Sequence, residues 1–220
     1  MMRAESIRQV SSVKTEKTYR EWVRSVRTQQ PPADMEAYLK EWEVFFDHYA
    51  AEVDHWHRTN AGYHDTVGGL ARFYIPPGAR VLEVGSGNGD LLATLKPSYG
   101  VGLDISSEMV RVAAQKYPNL TFLHMPAERL ELPGEKFDYI ILSDLLGYLY
   151  DIRLVFERLR TVCHSRTRLI VHWYSRLWQP VLGLAEKLGL KYPQPFINWT
   201  TVEDVLNLFI SSVGHLPVPQ

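Results

Sequence analysis

The stretch RVLEVGSGNGDLLATLKPSYGVGLD, residues 80–104, constrains this chain more than any other. Val81, Leu82 and Val84 form a short apolar run with the pattern of a buried strand. It runs into a loop with glycines at 85, 87 and 89, where a missing Cβ lets a ligand approach the backbone. Leu91, Leu92 and Leu95 then fall on one face of a helical stretch. A second apolar strand, Val101 to Leu103, ends in Asp104. Strand, glycine loop, helix, strand and terminal acid make a nucleotide-binding βαβ unit, with Asp104 set to accept hydrogen bonds from both ribose hydroxyls.

The spacing separates one cofactor class from another. A dinucleotide fingerprint needs glycine or alanine at position 90, where this chain has Asp90, an awkward neighbour for a pyrophosphate at a helix N-terminus. The pattern present, Glu83-x-Gly85-x-Gly87-x-Gly89, resembles motif I of the class I S-adenosylmethionine (SAM) methyltransferases, whose cofactor has no pyrophosphate. The alternative that the glycines only make a tight turn is opposed by the flanking strands and the terminal acid.

With 220 residues, 45% of them hydrophobic, the chain has material for one sizeable core and an extension. A net charge of −1 argues against binding nucleic acid or a membrane surface through bulk charge. Cys163 is the one cysteine, which rules out an intrachain disulfide. With no secretory pattern at the start, the expected location is cytoplasmic. No run approaches the roughly 18 apolar residues of a membrane span. The eight histidines include His55-x-His57, but no carboxylate or cysteine completes a metal set, so no metal is expected.

Three segments are expected. Residues 1–33 read as a polar, poorly ordered or loosely helical leader. Residues 34–75 read as a helical cap. Within it Asp34 caps one long helix whose stripe runs Met35, Tyr38, Leu39, Trp42, Phe45, Phe46, Tyr49, Val53 and Trp56, and a second helix spans Thr66 to Phe73. That stripe reads as packing, and the cap is expected to dock over the carboxyl ends of the strands. In residues 76–220, strands and helices alternate. Ser106 caps a helix to Tyr117; strands follow at Leu120–His124, Phe137–Ser143 and Arg168–Tyr174; Asp151 caps a helix to Val162. Helices at Leu177–Leu188 and after a Thr200–Glu203 capping box come last. The expected fold is α/β: a Rossmann-like, doubly wound, mostly parallel sheet in three αβα layers with an N-terminal helical extension. The stretch from Val213 on is too short for two further strands, and Pro217 and Pro219 cannot donate to a ladder. The sheet is therefore expected to stop at five parallel strands, or a stub of a sixth. Its fifth-strand edge would be covered by the 177–188 helix, supplied by another chain in a homo-oligomer, or lost by truncation.

Over Tyr63–Trp199 the chain is similar to bacterial type-11-like methyltransferase domains, especially those beside or fused to family-2 glycosyltransferases. The residues that carry this are Tyr63-His64, VLEVGSGNGDLLATLKPSYGVGLDIS, FDYIILSDLLGYLYD and PQPFINW. The resemblance implies SAM as cofactor, with Glu83, Gly85, Ser86, Gly87 and Gly89 along its methionine and ribose side, Asp104 on the ribose and Ile105 against adenine. Pro126 and Ala127 stand where the family has an Asp-Ala pair. Ala127 would then offer its N–H to adenine, and either Glu128 replaces the missing acid or adenine is held more weakly. Ser143 would meet the cofactor's amino group, and Tyr63 would close over the methionine end.

Methyl transfer demands alignment, exclusion of water and, for a hydroxyl or carboxyl acceptor, removal of a proton. Asp144, Tyr148, His172 and, from the cap, His64 are the candidates. Each has a structural reading beside the chemical one: a turn cap for Asp144, aromatic packing for Tyr148 and Trp178, strand-end packing for His172, an exposed helix start for His64. The run Ser143-Asp144-Leu145-Leu146 lacks the Pro-Pro-aromatic element of nucleic-acid amino methylases, and Cys163 lacks the context of a cytosine-type nucleophile. The expected function is SAM-dependent methyl transfer to a small-molecule, glycan or lipid-linked acceptor. The alternatives are a SAM-binding, non-catalytic partner of a glycosyltransferase and, opposed by Asp90, an NAD-dependent oxidoreductase.

Overall fold

The computed structural model describes Trp22, Val23, Val26 and residues 30–174, 179–188, 192, 194, 197, 198 and 200–213. Five strands form one sheet: β1 (Arg80–Val84), β2 (Tyr99–Asp104), β3 (Thr121–His124), β4 (Phe137–Ser143) and β5 (Cys163–His172). Their order is β3-β2-β1-β4-β5, and every pairing is parallel. The fold is thus the expected Rossmann-like α/β sheet.

Strand alternation divides the core into two faces. Leu82, Val84, Val101, Leu103, Ile140 and Leu142 point to one side, against α6 (Ile152–Leu159) and Val205 of α8 (Val202–Val213). Val81, Ile141, Tyr139 and Ile170 point to the other, against Leu92 of α4 (Asp90–Thr94) and against Ala71 and Ile75 at the end of the cap. Burial on both faces explains why the strand sequences are runs of apolar residues. The crossover after β2 is α5 (Ser107–Lys116), capped by Ser106, whose Oγ accepts the Met109 N–H at 3.0 Å.

The cap departs from its sequence reading. The long aromatic stripe is two helices, α1 (Met35–Tyr49) and α2 (Val53–Thr59), separated by a turn at Ala50–Glu52; the chain turns there to bury Ala50 and Val53 against Met109. The next helix, α3 (Ala61–Tyr74), begins five residues before the expected Thr66, so Tyr63 and His64 are helical. Trp22, Val23 and Val26, within the stretch read as leader, are helical and buried with Tyr38, Trp42 and Phe45; a boundary at residue 33 cuts through this cluster. Asp47 of α1 accepts the Ser106 hydroxyl at 2.7 Å and the Glu108 N–H at 3.2 Å, and Trp42 meets Tyr148 edge-on at 4.7 Å. Both contacts lie just beyond strand C-termini, so the cap crosses the carboxyl ends of the sheet.

Two further boundaries move. β5 begins at Cys163 rather than Arg168 and ends at His172. The capping box of α8 is Thr201–Asp204, one residue later than expected: the Thr201 N–H donates to Asp204 Oδ2 at 2.9 Å and the Asp204 N–H to Thr201 Oγ1 at 3.1 Å. The last expected helix before it is α7 (Gln179–Lys187). Among the described residues β5 is an edge strand; residues 214–220, on which the argument about further strands rested, lie outside them.

Candidate active site

The three glycines of the loop have different reasons to be glycine. A Cβ on Gly85 would sit 2.8 Å from Leu145 Cδ1, and one on Gly89 2.6 Å from Phe122 Cζ, so packing excludes side chains at both. A Cβ on Gly87 would meet nothing within 4 Å, yet its φ is +51° and it lines the cavity beside the loop. Its requirement is conformation and open access. The loop is held by its own acid: the Gly87 N–H donates to Asp104 Oδ2 at 2.8 Å and the Ser106 N–H to Asp104 Oδ1 at 2.9 Å.

The cavity encloses about 1270 Å³ and runs from this loop to the cap. Its floor holds buried acids. Glu83 is 3% exposed, its Oε2 has no hydrogen-bond partner, and burial pushes its pKa up to about 8. Burial also raises Asp104 to about 6, against the two N–H bonds that favour its carboxylate. Glu128, raised by burial, accepts the Tyr150 N–H at 2.9 Å and so anchors the chain after β4.

At the opposite end, residues from three elements meet. Asp144, just past β4, has φ +54°, a left-handed conformation unusual for a residue with a side chain. Its N–H donates to the His172 carbonyl at 2.8 Å. Tyr63 of α3 donates its hydroxyl to Asp144 Oδ2 at 2.5 Å, and the other oxygen, Oδ1, lies 3.3 Å from His172 Nδ1. The Asp144 carboxylate raises the His172 pKa against the opposing effect of burial. Tyr148, whose burial raises its pKa, receives a hydrogen bond from Gln194 Nε2 at 2.7 Å. His64 stacks on His57 with centroids 3.9 Å apart; burial, then His57, lowers it to about 4.

Sequence reasoning did not foresee the polar strap between cap and glycine loop. Asp90 Oδ2 lies 3.2 Å from His57 Nδ1 and accepts from Asn88 Nδ2 at 3.0 Å; Oδ1 accepts from Tyr117 at 2.6 Å and pairs with Lys116 at 2.7 Å. Asn88 and Lys116 also both reach Asp54 Oδ1 at 2.9 Å. Burial of Asp90 opposes ionisation, but His57, Lys116 and Tyr117 together hold its carboxyl well below the usual range. The signal was available: an acid where the dinucleotide pattern has glycine needs local cations.

Of the singled-out site residues, all but Gly89 reach the cavity wall: Tyr63, His64, Glu83, Gly85, Ser86, Gly87, Asp104, Ile105, Ala127, Glu128, Ser143, Asp144, Tyr148 and His172. Gly89 packs behind the loop against Phe122. Trp178 lies outside the described residues. Among those described, no helix is long and apolar enough to cross a membrane.

A glycine loop and terminal acid beneath a capped cavity, on a 3-2-1-4-5 parallel sheet, define a class, and comparison with known proteins agrees with it. Residues 81–166 match the family model described as a methyltransferase domain. It is 36% identical over 64 residues to the demethylmenaquinone methyltransferase of Chlorobaculum tepidum, covering 28% of this chain and 26% of that protein. It is 30% identical over 94 residues to the ubiquinone/menaquinone biosynthesis C-methyltransferase UbiE of Campylobacter jejuni, covering 39% and 37%. The chain thus matches about a quarter to two fifths of the length of these curated relatives. Among solved structures, the protein bound to the Trm112 methyltransferase activator of Haloferax volcanii aligns with TM-score 0.62 and 20% identity over 76% of this chain and 75% of that one. The [4+2]-cyclase SpnF aligns with TM-score 0.54 and 17% identity over 67% and 57%.

Proposed function

We propose that this chain is a SAM-dependent methyltransferase that acts on a small-molecule acceptor. The observation that carries the reading is the wall beside Gly87: an open backbone, the buried Asp104 and the buried Glu83, whose Oε2 has no hydrogen-bond partner, all line one cavity. An uncompensated buried acid suits a cationic ligand, and SAM is a cation with a ribose. When bound, SAM supplies an activated methyl group on sulfonium. The chain then has to hold the acceptor in line and keep water out, and the cap supplies that roof. Glu83 would face the methionine end, Asp104 the ribose, and Ile105 with Ala127 the adenine. Ser143 and Tyr63 would close the methionine side.

The methyltransferase-domain match and the two curated relatives support methyl transfer and make the reduced, phenolic form of a quinone an acceptor to try first. A glycan or lipid-linked acceptor, and a glycosyltransferase partner, rest on the sequence resemblance alone. The fold is shared with a cyclase, so binding and turnover need separate measurement. Calorimetry should give SAM binding, weakened about tenfold to hundredfold in Asp104→Ala, the equivalent of about 1.5–3 kcal/mol. Labelled SAM should pass its methyl group to a component of cell extract. Absence of SAM binding by the folded wild-type chain overturns the reading; binding without transfer leaves a SAM-binding module.

A further inference from the structure

Two adjacent strands deliver an acid and a base to the same point of the cavity wall. In the β4–β5 pairing Ser143 stands opposite His172, so Asp144, the next residue, emerges beside the histidine. The link is fixed through the backbone, because the Asp144 N–H donates to the His172 carbonyl at 2.8 Å. Asp144 holds this place in a left-handed conformation, φ +54°, of the kind proteins retain where a side chain's aim matters.

The two carboxylate oxygens have separate tasks. Oδ2 receives the Tyr63 hydroxyl at 2.5 Å, while Oδ1 lies 3.3 Å from His172 Nδ1, an ion-pair distance; both of these last two atoms are buried and neither makes a hydrogen bond in the resting geometry, which leaves them for each other. A neutral imidazole with its Nδ1–H turned to the carboxylate keeps the lone pair on Nε2, the form a proton acceptor needs. The neighbouring candidates are occupied. Tyr63 is spent on Asp144, and burial first, then Asp144, keeps its phenol protonated. The Tyr148 oxygen accepts a hydrogen bond from the Gln194 amide. His64, stacked on His57, is driven to about 4 and is a weak base.

On the reading of this site as a methyltransferase, we infer that His172 is the general base, that Asp144 and Tyr63 are its positioning residues, and that the acceptor is an alcohol or phenol. A carboxylate acceptor arrives without its proton and would face Asp144. A neutral amine attacks through its lone pair and sheds its proton afterwards. A hydroxyl attacks well only as its proton leaves, which is the task a positioned base performs. In the step, the acceptor O–H proton passes to His172 Nε2 as the oxygen lone pair forms the new O–CH3 bond. The S–CH3 bond breaks with its electron pair remaining on sulfur, giving neutral S-adenosylhomocysteine. His172 then returns the proton to water.

The groups in contact with His172 are Tyr63 from α3, Asp144 beyond β4 and Tyr174 beyond β5, and His64 and Tyr148 line the same cavity. The three tyrosines are raised and His64 is lowered, all mainly by burial, so among these groups a limb near neutrality belongs to His172; Glu83 and Asp104, which line the same cavity and are raised to about 8 and about 6, are told apart from it by the His172 ring resonances. The first measurement uses the full chain without cofactor. His172 ring resonances in NMR should titrate above an ordinary histidine, and Asp144→Asn should bring the midpoint down; a midpoint unmoved by Asp144→Asn overturns the pairing. The second is labelled methyl transfer to cell extract. His172→Gln should bind SAM as the wild type does and lose about 10²–10⁴-fold in kcat. Wild-type kcat should rise to a plateau through the His172 titration, and the product should be an alkali-stable ether. Wild-type kcat in His172→Gln, or label on nitrogen, carbon or a carboxyl ester, overturns the assignment. Loss of SAM binding in the wild type itself would instead be failure of the methyltransferase reading, and the two outcomes are read separately.

Discussion

His57 Nδ1 and Asp90 Oδ2 lie 3.2 Å apart, joining the second cap helix to the first residue of the helix that follows the glycine loop. The contact is one of several on a single carboxylate, so removing that carboxylate releases His57 and Tyr117 and leaves Asn88 and Lys116 with Asp54. The Lys116 pair, a third exposed on both sides, counts for little in water. The remaining hydrogen bonds place the cost of Asp90→Ala at about 1–3 kcal/mol. Amide exchange over Val53–Thr59 should accelerate more than exchange in β1. Unchanged exchange in both would show that the strap does not hold the cap.

Substitutions in the loop should sort its glycines by cause. Gly87→Ala adds a side chain to open space at positive φ, so the fold should lose only about 1–2 kcal/mol while SAM affinity collapses. Gly89→Ala drives its Cβ into Phe122 behind the loop, and thermal melts should show the larger loss there. If Gly87→Ala binds SAM as the wild type does, Gly87 does not adjoin the cofactor.

The contrast between those glycines marks how far the sequence could be read. Spacing alone grouped 85, 87 and 89 as one motif, and all three do carry positive φ. The partners Leu145 and Phe122 that distinguish them come from distant strands and are invisible locally. The sheet was legible because strands buried on both faces are apolar runs between breakers; β4 and the Ser106 cap fall where the pattern predicts. The break at Ala50–Glu52 was not, since the apolar spacing continues across it and tertiary packing on Met109 decides it. In the same way Asp144 and His172 were each visible as polar residues at strand ends. Their pairing required the β4–β5 register, which no single segment encodes.

Glu83 should make the ligand-free protein less stable as pH rises. Its folded pKa, about 8 against an ordinary 4.5, means the folded state binds the proton more tightly. That stability is fully present below about 4.5 and is lost as pH rises through about 8. Asp104, raised to about 6, adds in the same direction over a lower window. Urea melts from pH 5 to 9 should show the decline, and Glu83→Gln should flatten it above pH 6. With SAM bound, the cation favours the Glu83 carboxylate, so calorimetry in buffers of different ionisation enthalpy should detect proton release near pH 7. No release would remove Glu83 from contact with the cofactor's charge.

His64 should act in the opposite sense on the acid side. Burial and the stacked His57 hold its folded pKa at about 4, against an ordinary 6.5, so the unfolded chain binds the proton first. Its neutral form costs nothing above pH 6.5, and stability is lost as pH falls from 6.5 towards 4. Between about 4.5 and 6.5 this loss opposes the gain from Glu83, and the wild-type profile should be shallow there. His64→Phe keeps an aromatic ring against His57 and removes the titration. The variant should therefore gain stability relative to wild type as pH falls from 6.5 to 4.5, exposing the Glu83 slope that His64 had offset. Parallel urea melts of the two proteins across that range make the test. A constant difference between them would mean that His64 titrates alike in the folded and unfolded chains.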